Sequence, residues 1–582
     1  MTDAKLEKGR AELIAARRAS RPAYWAVALF SIFVNLLMLT GPLFMLQVYD
    51  RVLGSRSEAT LLALVLLVAF LYGIMGLLDV VRGLILSRIG ARFQSDLDAR
   101  VFSAALRRSA QSPQAERAGG GQNALRELES VQRFMGSPVL GAVYDLPFVP
   151  LFLFGIALFH PWLGILAVGG GALLIGLTLL NQMSSRMPLA DAAGNGQRAE
   201  RMAEALRSEA EMVRALGLQS AALHRWRIWR DKALRASISA QDRAGSYRTI
   251  SKTFRLFLQS AVLGLGAYLV LQHEMTAGAM IAASILLGRA LQPIELIIGQ
   301  WAVVQGARKG WAGLADLLGD VPEEPARTAL PRPAAKLVVD QLTVLPPGEP
   351  HATLRMVSFE MKPGEAMGVI GASGAGKSTL ARALTGVWRA AGGKIRLDGA
   401  ALDQFDPEVL GQHVGYLPQR VQLFDGTIAE NIARLSLQPD DATVVAAAKK
   451  AAAHDMILKL PHGYDTQVSA AGGRLSGGQL QRIGLARALY GDPVIVVLDE
   501  PNSNLDNDGS EALNSAIRQL KSEGKAVLIM AHRPAAIKEC DLLLVLDQGT
   551  RKAFGPRDQV LRETVVNSRE LLTGQSTPKG AS

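Results

Sequence analysis

Residues 365–384 read EAMGVIGASGAGKSTLARAL, and this stretch decides the fold of the second half of the chain. The apolar residues before the turn predict a buried strand, and the residues after it favour a helix. The glycine-rich turn between them matches G-x-x-x-x-G-K-[ST], a pattern whose backbone amides surround phosphate groups. A strand before the turn and a helix after it are the context that this pattern requires. The stretch therefore predicts a nucleotide-binding α/β domain.

The turn supplies both charge and a metal ligand. We expect Lys377 to neutralise the β- and γ-phosphates, which makes it catalytic as well, and the Ser378 hydroxyl to ligate Mg²⁺. Nucleotide contacts are expected from Gly371, Ala372, Ser373, Gly374, Ala375, Gly376, Lys377, Ser378 and Thr379.

A pair of acids follows a second apolar strand, in DPVIVVLDEPNSNLD at 492–506. Asp499 at the strand end is placed to hold Mg²⁺, and Glu500 to polarise the attacking water. The alternative interpretation is that the two acids lie at the start of a helix. The phosphate loop upstream makes this interpretation weak.

Two further strand ends carry polar side chains. His532 closes KAVLIMAH, and Gln419 follows a short strand in GYLPQ. A lone histidine at a strand end is usually structural. Here a third strand that converges on the same phosphate favours a γ-phosphate contact for His532, and Gln419 suits a Mg²⁺ or water contact.

The stretch RLSGGQLQR, residues 474–482, has two interpretations. Ser476 can N-cap a helix, with the glycines allowing a sharp bend. A helix start bare of side chains is also an anion site, because its amides point outward. The second interpretation predicts a phosphate contact from Leu475, Ser476, Gly477, Gly478 and Gln479.

The first half of the chain predicts a membrane domain, since a bilayer requires about 20 apolar residues per helix. Six apolar runs lie near 24–48, 60–84, 139–159, 162–180, 254–271 and 277–298. Long polar stretches at 85–138 and 181–253 are rich in arginine, whereas the opposite short loops carry chiefly Arg51 and Arg56. The positive-inside rule therefore places both termini and both long loops in the cytoplasm. The composition of the long loops also predicts that the membrane helices continue beyond the bilayer.

The sixth run contains Arg289, Pro293 and Glu295. Charged groups at membrane depth usually face a cavity or a partner, which favours a pathway lining with a proline kink. The alternative is that this part of the run already lies outside the bilayer. The sequence leaves both interpretations open.

Composition sets the domain count and excludes some chemistry. The chain of 582 residues is too long for one core, and its single cysteine, Cys540, excludes disulfides and cysteine metal sites. No cleavable signal is evident. We expect the following organisation: 1–23 cytoplasmic segment, 24–319 membrane domain, 320–335 linker, 336–565 ATPase domain and 566–582 tail.

The order of these motifs resembles the nucleotide-binding domain of ABC transporters. Walker A is GASGAGKST, the Q-loop holds Gln419, the signature is LSGGQ, Walker B is VIVVLDE, the D-loop SNLD contains Asp506, and the switch histidine is His532. The resemblance implies ATP and Mg²⁺ as ligands. It also implies a homodimer, because in this family LSGGQ contacts the γ-phosphate of ATP bound by the opposite domain.

One position departs from the family pattern. Family members often stack adenine on an aromatic residue of the first strand, where this chain reads LTVLPPGEP. Val344, Leu345 and Pro346 offer no ring, which predicts looser or purely apolar adenine binding.

The membrane half is similar to type I protein-secretion ABC transporters, in the branch that exports proteases and lipases. The similarity lies in GPLFMLQVYDRVLGSRSEATLLAL, VYDLPFVPLFL and LDEPNSNLD. It implies a multi-pass protein of the bacterial inner membrane that exports an unfolded protein with an uncleaved C-terminal signal. The implied partners are a membrane-fusion protein and an outer-membrane channel. The chain starts almost at its first membrane helix, so no N-terminal peptidase domain is expected.

Two other functions compete with protein export. The same architecture serves exporters of lipid or other small amphiphiles. A net charge of +11 could instead suit a soluble ATPase of this type acting on DNA, but six apolar spans argue against nucleic acid as the partner.

Overall fold

A computed structural model describes residues 2–111, 120–324, 327–469, 475–503, 505, 507–531 and 537–564. The described residues form two compact units. One reaches Leu106 and continues from Gly120 to Pro322, and the other takes Arg107–Gln111 and the described residues from Glu323 onward.

The first unit is helical. Its α-helices are α1 Thr2–Arg18, α2 Arg21–Leu37, α3 Thr40–Gln47, α4 Leu53–Ser55, α5 Glu58–Gln111, α6 Gly120–Met135, α7 Pro138–Asp145, α8 Val149–Phe159, α9 Pro161–Ser208, α10 Ala210–Ala215, α11 Gln219–Leu271, α12 Ala277–Gly299 and α13 Trp301–Asp320. A π-helical turn, Val48–Val52, joins α3 to α4.

Six stretches of helix in this unit are long and apolar enough to cross a membrane, as the sequence predicts. They are Arg21–Ser55, Glu58–Gln111, Pro138–Phe159, Pro161–Ser208, Gln219–Leu271 and Ala277–Gly299. Large apolar side chains remain exposed along them; Phe70, for example, is 65% exposed and Leu77 64%. Such a continuous apolar surface suits lipid rather than water. The protein is therefore a multi-pass membrane protein.

A buried polar network joins three of these spans. The Arg82 guanidinium on α5 donates to Asp145 on α7 at 2.7 Å and to the Ser31 hydroxyl on α2 at 3.1 Å. The Asn35 amide also donates to Asp145, at 2.7 Å. Charged groups are costly at membrane depth unless they are paired. This network satisfies the Asp145 carboxylate and fixes the contact between the spans.

A second polar contact fastens the end of the first span to the start of the sixth. Asp50, in the π-helical turn, accepts hydrogen bonds from the Thr276 hydroxyl at 2.7 Å and the Gly278 amide at 2.9 Å. Thr276 itself caps α12 by accepting from the Ala279 amide at 3.1 Å. A carboxylate at a helix N-terminus is favoured by the helix dipole.

The second unit is an α/β domain with two main sheets. Its strands are β1 Leu337–Val344, β2 Leu354–Met361, β3 Ala366–Ile370, β4 Gly392–Leu397, β5 Ala400–Ala401, β6 Val414–Leu417, β7 Gly426–Thr427, β8 Gln467–Val468, β9 Ile495–Asp499, β10 Ala526–Met530, β11 Leu542–Asp547 and β12 Thr550–Pro556. Its α-helices are α14 Lys377–Leu384, α15 Pro407–His413, α16 Ile428–Ile432, α17 Asp441–Lys450, α18 His454–Leu458, α19 Gly477–Leu489, α20 Asn507–Ser522 and α21 Arg557–Thr564.

The larger sheet positions the site. Its strand order is β12-β11-β3-β10-β9-β6, and all neighbouring pairs except β11 with β12 are parallel. Met530 at the end of β10 pairs with Val369 on one side and with Asp499 on the other. The carboxyl ends of β3, β10 and β9 therefore lie at one edge. Parallel strands covered on both faces read as continuous apolar runs, which is why the sequence reveals these strands clearly.

Candidate nucleotide site

The phosphate loop connects β3 to α14, as the sequence predicts. Two positions of this loop require glycine for steric reasons. A Cβ at Gly371 would collide with the Leu546 carbonyl oxygen, and one at Gly376 would lie 2.6 Å from Leu354 Cδ2. Gly376 also has φ 101°, a left-handed conformation that other residues rarely adopt. The loop can therefore turn tightly before the first amides of α14.

Lys377 is buried within this loop. Its ammonium group donates to the Gly371 carbonyl at 2.9 Å and to the Ala372 carbonyl at 3.1 Å. Burial lowers the pKa of Lys377, and the neighbouring Glu500 and Asp499 carboxylates oppose that shift. A phosphate in the loop would stabilise the ammonium form in the same way. The position fits the charge-neutralising role that the sequence predicts.

Asp499 ends β9 beside the start of α14 and is only 3% exposed. The Ser378 side chain hydrogen-bonds to it, but its Oδ1 atom is buried without a hydrogen-bond partner among the described residues. Burial raises the pKa of Asp499, and the Ser378 hydrogen bond opposes the shift. A buried carboxylate with an unsatisfied oxygen next to a hydroxyl is a donor set that suits Mg²⁺. Asp499 and Ser378 therefore fit the metal that the sequence predicts.

Glu500 and Gln419 come together although they are 81 positions apart in the sequence. The Gln419 side-chain amide donates to Glu500 Oε2 at 3.1 Å. This contact follows from the sheet, because Leu417 of β6 pairs with Leu498 of β9. Glu500 has φ 52°, which is uncommon outside glycine, and its amide donates to the Met530 carbonyl at 3.0 Å. Strained backbone of this kind clusters at functional sites.

The signature stretch begins α19, and the structure bears out the first of its two interpretations, the N-cap. Ser476 caps the helix: its hydroxyl accepts from the Gln479 amide at 3.3 Å, while its own amide donates to Gln479 Oε1 at 2.8 Å. The helix start is therefore not bare, as the sequence interpretation assumed, because this reciprocal capping box occupies it. The Gly477 and Gly478 amides take no part in the cap. Among the described residues, no hydrogen bond joins 475–479 to the phosphate loop at 371–379.

Some of the predicted site residues lie outside the part of the chain that the structure describes. Asp506 and His532 lie outside the described residues, as does the whole of the predicted tail at 566–582. At the proposed adenine position, the Val344 side chain is fully buried in the core of the domain, whereas Leu345 is 43% exposed. Val344 is therefore unavailable to a base.

Two features of the site have no signal in the sequence pattern. Burial raises the pKa of Tyr416, and the negative charge of Asp499 raises it further. The buried Gln481 amide of α19 donates to the Pro501 carbonyl at 3.2 Å and ties the signature helix to the residue after Glu500. Periodicity does not predict such contacts, because they depend on the packing of distant segments.

Residues 354–503 match the family described as ABC transporter, and residues 24–293 match the ABC transporter transmembrane region. The type I secretion system ATP-binding protein PrsD of Rhizobium meliloti is 44% identical, with 96% of each chain covered. The toxin RTX-I translocation ATP-binding protein of Actinobacillus pleuropneumoniae is 28% identical over 93% of this chain and 77% of the relative.

The chain is an ABC transporter of the type I secretion group. Its fold is similar to a solved bacterial Atm1-family ABC exporter with ATP bound, with a TM-score of 0.80, 23% identity and coverage of 97% of this chain and 99% of that one. The transporter binds nucleotide, and it couples ATP hydrolysis to protein export, as the sequence predicts. The fold class is likewise confirmed: a six-span helical domain followed by an α/β ATPase domain.

Proposed function

We propose that two copies of this chain export an unfolded protein with an uncleaved C-terminal signal across the bacterial inner membrane. A membrane-fusion protein and an outer-membrane channel complete the route, and both termini and the ATPase domain lie in the cytoplasm. The observation that carries the proposal is the 44% identity to a type I secretion ATP-binding protein along 96% of both chains.

Each ATP site combines the phosphate loop of one chain with the signature of the other. Lys377 and the loop amides hold the β- and γ-phosphates, and Glu500 accepts a proton from the water that attacks the γ-phosphorus. As the water oxygen bonds to the γ-phosphorus, the bond from that phosphorus to the bridging oxygen of ADP breaks, so that ADP and phosphate are the products. Ser378, Asp499 and Gln419 would hold Mg²⁺, which would supply charge neutralisation at the phosphates. We assign His532 to the γ-phosphate and Asp506 to the contact between the chains.

ATP binding closes the paired ATPase domains, and hydrolysis resets them. The long polar extensions of the membrane helices pass this closure to the spans. The alternative cargo is a lipid or another small amphiphile, which the same architecture can export.

Export from cells distinguishes the two cargoes. The native gene is replaced by the Glu500→Gln variant, and the proteins of the medium and the lipids of both membranes are compared with wild type. Protein export predicts that one or a few proteins disappear from the medium and remain in the cell. Truncating such a protein at its C-terminus should retain it in wild-type cells as well. An unchanged set of secreted proteins with an altered lipid distribution would favour the alternative.

A further inference from the structure

A large cavity lies in the membrane unit where three of the apolar runs end. Its volume is ≈ 770 Å³, which falls in the range of ligand pockets. Four helices form its walls: α9, α11, α12 and α13. We call it the basic cavity because its lining includes Arg186, Arg248, Lys252, Arg255 and Lys309. It is separate from the nucleotide site, which belongs to the other unit.

The charges of the basic cavity are unbalanced. Glu295 is the one acid among the described residues that line it, and it pairs with Arg255 at 3.1 Å. The other four cations have no ion pair with any described residue. These four residues are exposed, and several like charges around one cleft create a positive potential that attracts anionic groups.

The walls also offer hydrogen-bonding groups on three of the four helices. Gln182 lies on α9, Ser251 on α11 and Gln305 on α13. The indole nitrogen of Trp301, another wall residue, is buried without a hydrogen-bond acceptor among the described residues. A buried donor without an acceptor is costly, which favours a ligand that brings one.

The structure also separates the two charged residues of the sixth span. Glu295 lines the basic cavity, whereas Arg289 lines a smaller cavity of ≈ 280 Å³ beside the Arg82–Asp145 pair. The sequence left open whether these residues face a cavity, and both of them do.

We propose that the basic cavity binds an acidic segment of the exported polypeptide, with apolar residues between the acids. This inference rests on protein export as the function. An extended polypeptide presents carbonyls and amides along its whole length, which matches polar groups on three walls. A phospholipid presents its polar groups at one end only, so the distribution of wall residues favours the peptide.

The test uses the full-length dimer in nanodiscs of phosphatidylcholine and three fluorescent peptides of equal length and apolar content. One peptide carries glutamates, one carries glutamines in their place, and one carries lysines. The variant R248E/K252E reverses two cavity charges. The control R230E/R235E likewise reverses two charges, on exposed residues of the same helix outside the cavity.

Wild type should bind the glutamate peptide at least about tenfold more tightly than the glutamine peptide, a factor that corresponds to ~1.4 kcal/mol. R248E/K252E should lose this preference and gain affinity for the lysine peptide, while the control variant keeps the wild-type order. Basal ATPase activity should persist in both variants. Trp301→Phe keeps the ring but removes the donor, and should weaken binding about two- to tenfold.

Equal affinity for the glutamate and glutamine peptides would overturn the inference and leave protein export standing. A different result would assign the cavity to an anionic lipid instead. In that case the peptides would show no charge preference, and phosphatidylglycerol in the nanodisc would displace the glutamate peptide from wild type but not from R248E/K252E. Failure of all three peptides to bind, with basal ATPase intact, would count against polypeptide as the cargo itself.

Discussion

At the scale of single residues, we propose Glu500 as the general base. It follows a buried strand, lies within hydrogen-bond distance of Gln419, and is held in a left-handed conformation. A glutamine at this position keeps the shape and an oxygen that can accept from Gln419, but it cannot take a proton from water. We predict that Glu500→Gln binds ATP normally and hydrolyses it about 10²–10⁴-fold more slowly. Nucleotide binding and phosphate release are measured on the same preparation, and near-native turnover would show that another group is the base.

Lys377 should behave differently, because its charge serves binding and the transition state together. Lys377→Ala removes an ammonium that now contacts the Gly371 and Ala372 carbonyls. We predict weaker ATP binding as well as slower hydrolysis, measured by titration and by phosphate release. Unchanged affinity and rate would contradict the role of this loop.

The adenine position carries a third prediction at this scale. With Val344 buried and Leu345 exposed, no described residue of this stretch offers a ring to the base. Stacking on an aromatic ring is worth about 1–3 kcal/mol in nucleic-acid binders, so its absence should weaken base discrimination. We expect GTP hydrolysis within about tenfold of ATP hydrolysis. The variant Leu345→Tyr offers a ring and should increase the preference for ATP. A thousandfold preference in wild type would mean that another residue recognises adenine.

At the scale of helices and strands, the sequence predicts those elements whose apolar residues recur periodically or form a continuous run. Six apolar runs predict the six spans, and the polar composition after them correctly predicts that helices such as α5 extend well past the apolar part. The same logic finds β3 and β9, whose continuous apolar residues are buried on both faces.

Contacts between elements were not predictable in this way. The Arg82–Asp145 pair joins residues 63 positions apart, and the contact of Asp50 with Gly278 spans 228 positions. The capping box at Ser476 and Gln479 is an exception, because its S-x-x-Q spacing is local and can be recognised in the sequence.

The buried Arg82–Asp145 pair gives a prediction about stability. Arg82→Met leaves the Asp145 carboxylate without its cation, and removing one partner of a buried pair costs about 3–5 kcal/mol. We predict a lower thermal unfolding temperature for this variant in detergent. The double variant Arg82→Met/Asp145→Leu removes both charges and should recover most of the loss, since Asn35 still donates to the Ser31 carbonyl. A double variant as unstable as the single one would show that the ion pair is not what holds these spans.

At the scale of the whole molecule, the proposed mechanism depends on two chains sharing each ATP site. Within one chain, the signature residues 475–479 have no hydrogen bond to the phosphate loop among the described residues. The cap formed by Ser476 and Gln479 orders the start of α19, which gives this end of the helix a defined surface. We therefore propose that this surface meets ATP held by the partner subunit.

Mixed dimers test most directly whether two chains share each ATP site. One chain carries Ser476→Arg, which blocks the signature, and the other carries Lys377→Ala, which disables the phosphate loop; either homodimer should be inactive. If the sites are shared, both lesions fall in one site and the other is intact. The control dimer carries both lesions on one chain beside a wild-type partner, so that each shared site then has one lesion. The account predicts ATPase activity in the purified mixed dimer and none above background in the control. Activity in the control with none in the mixed dimer would contradict it, because each site would then be built within a single chain.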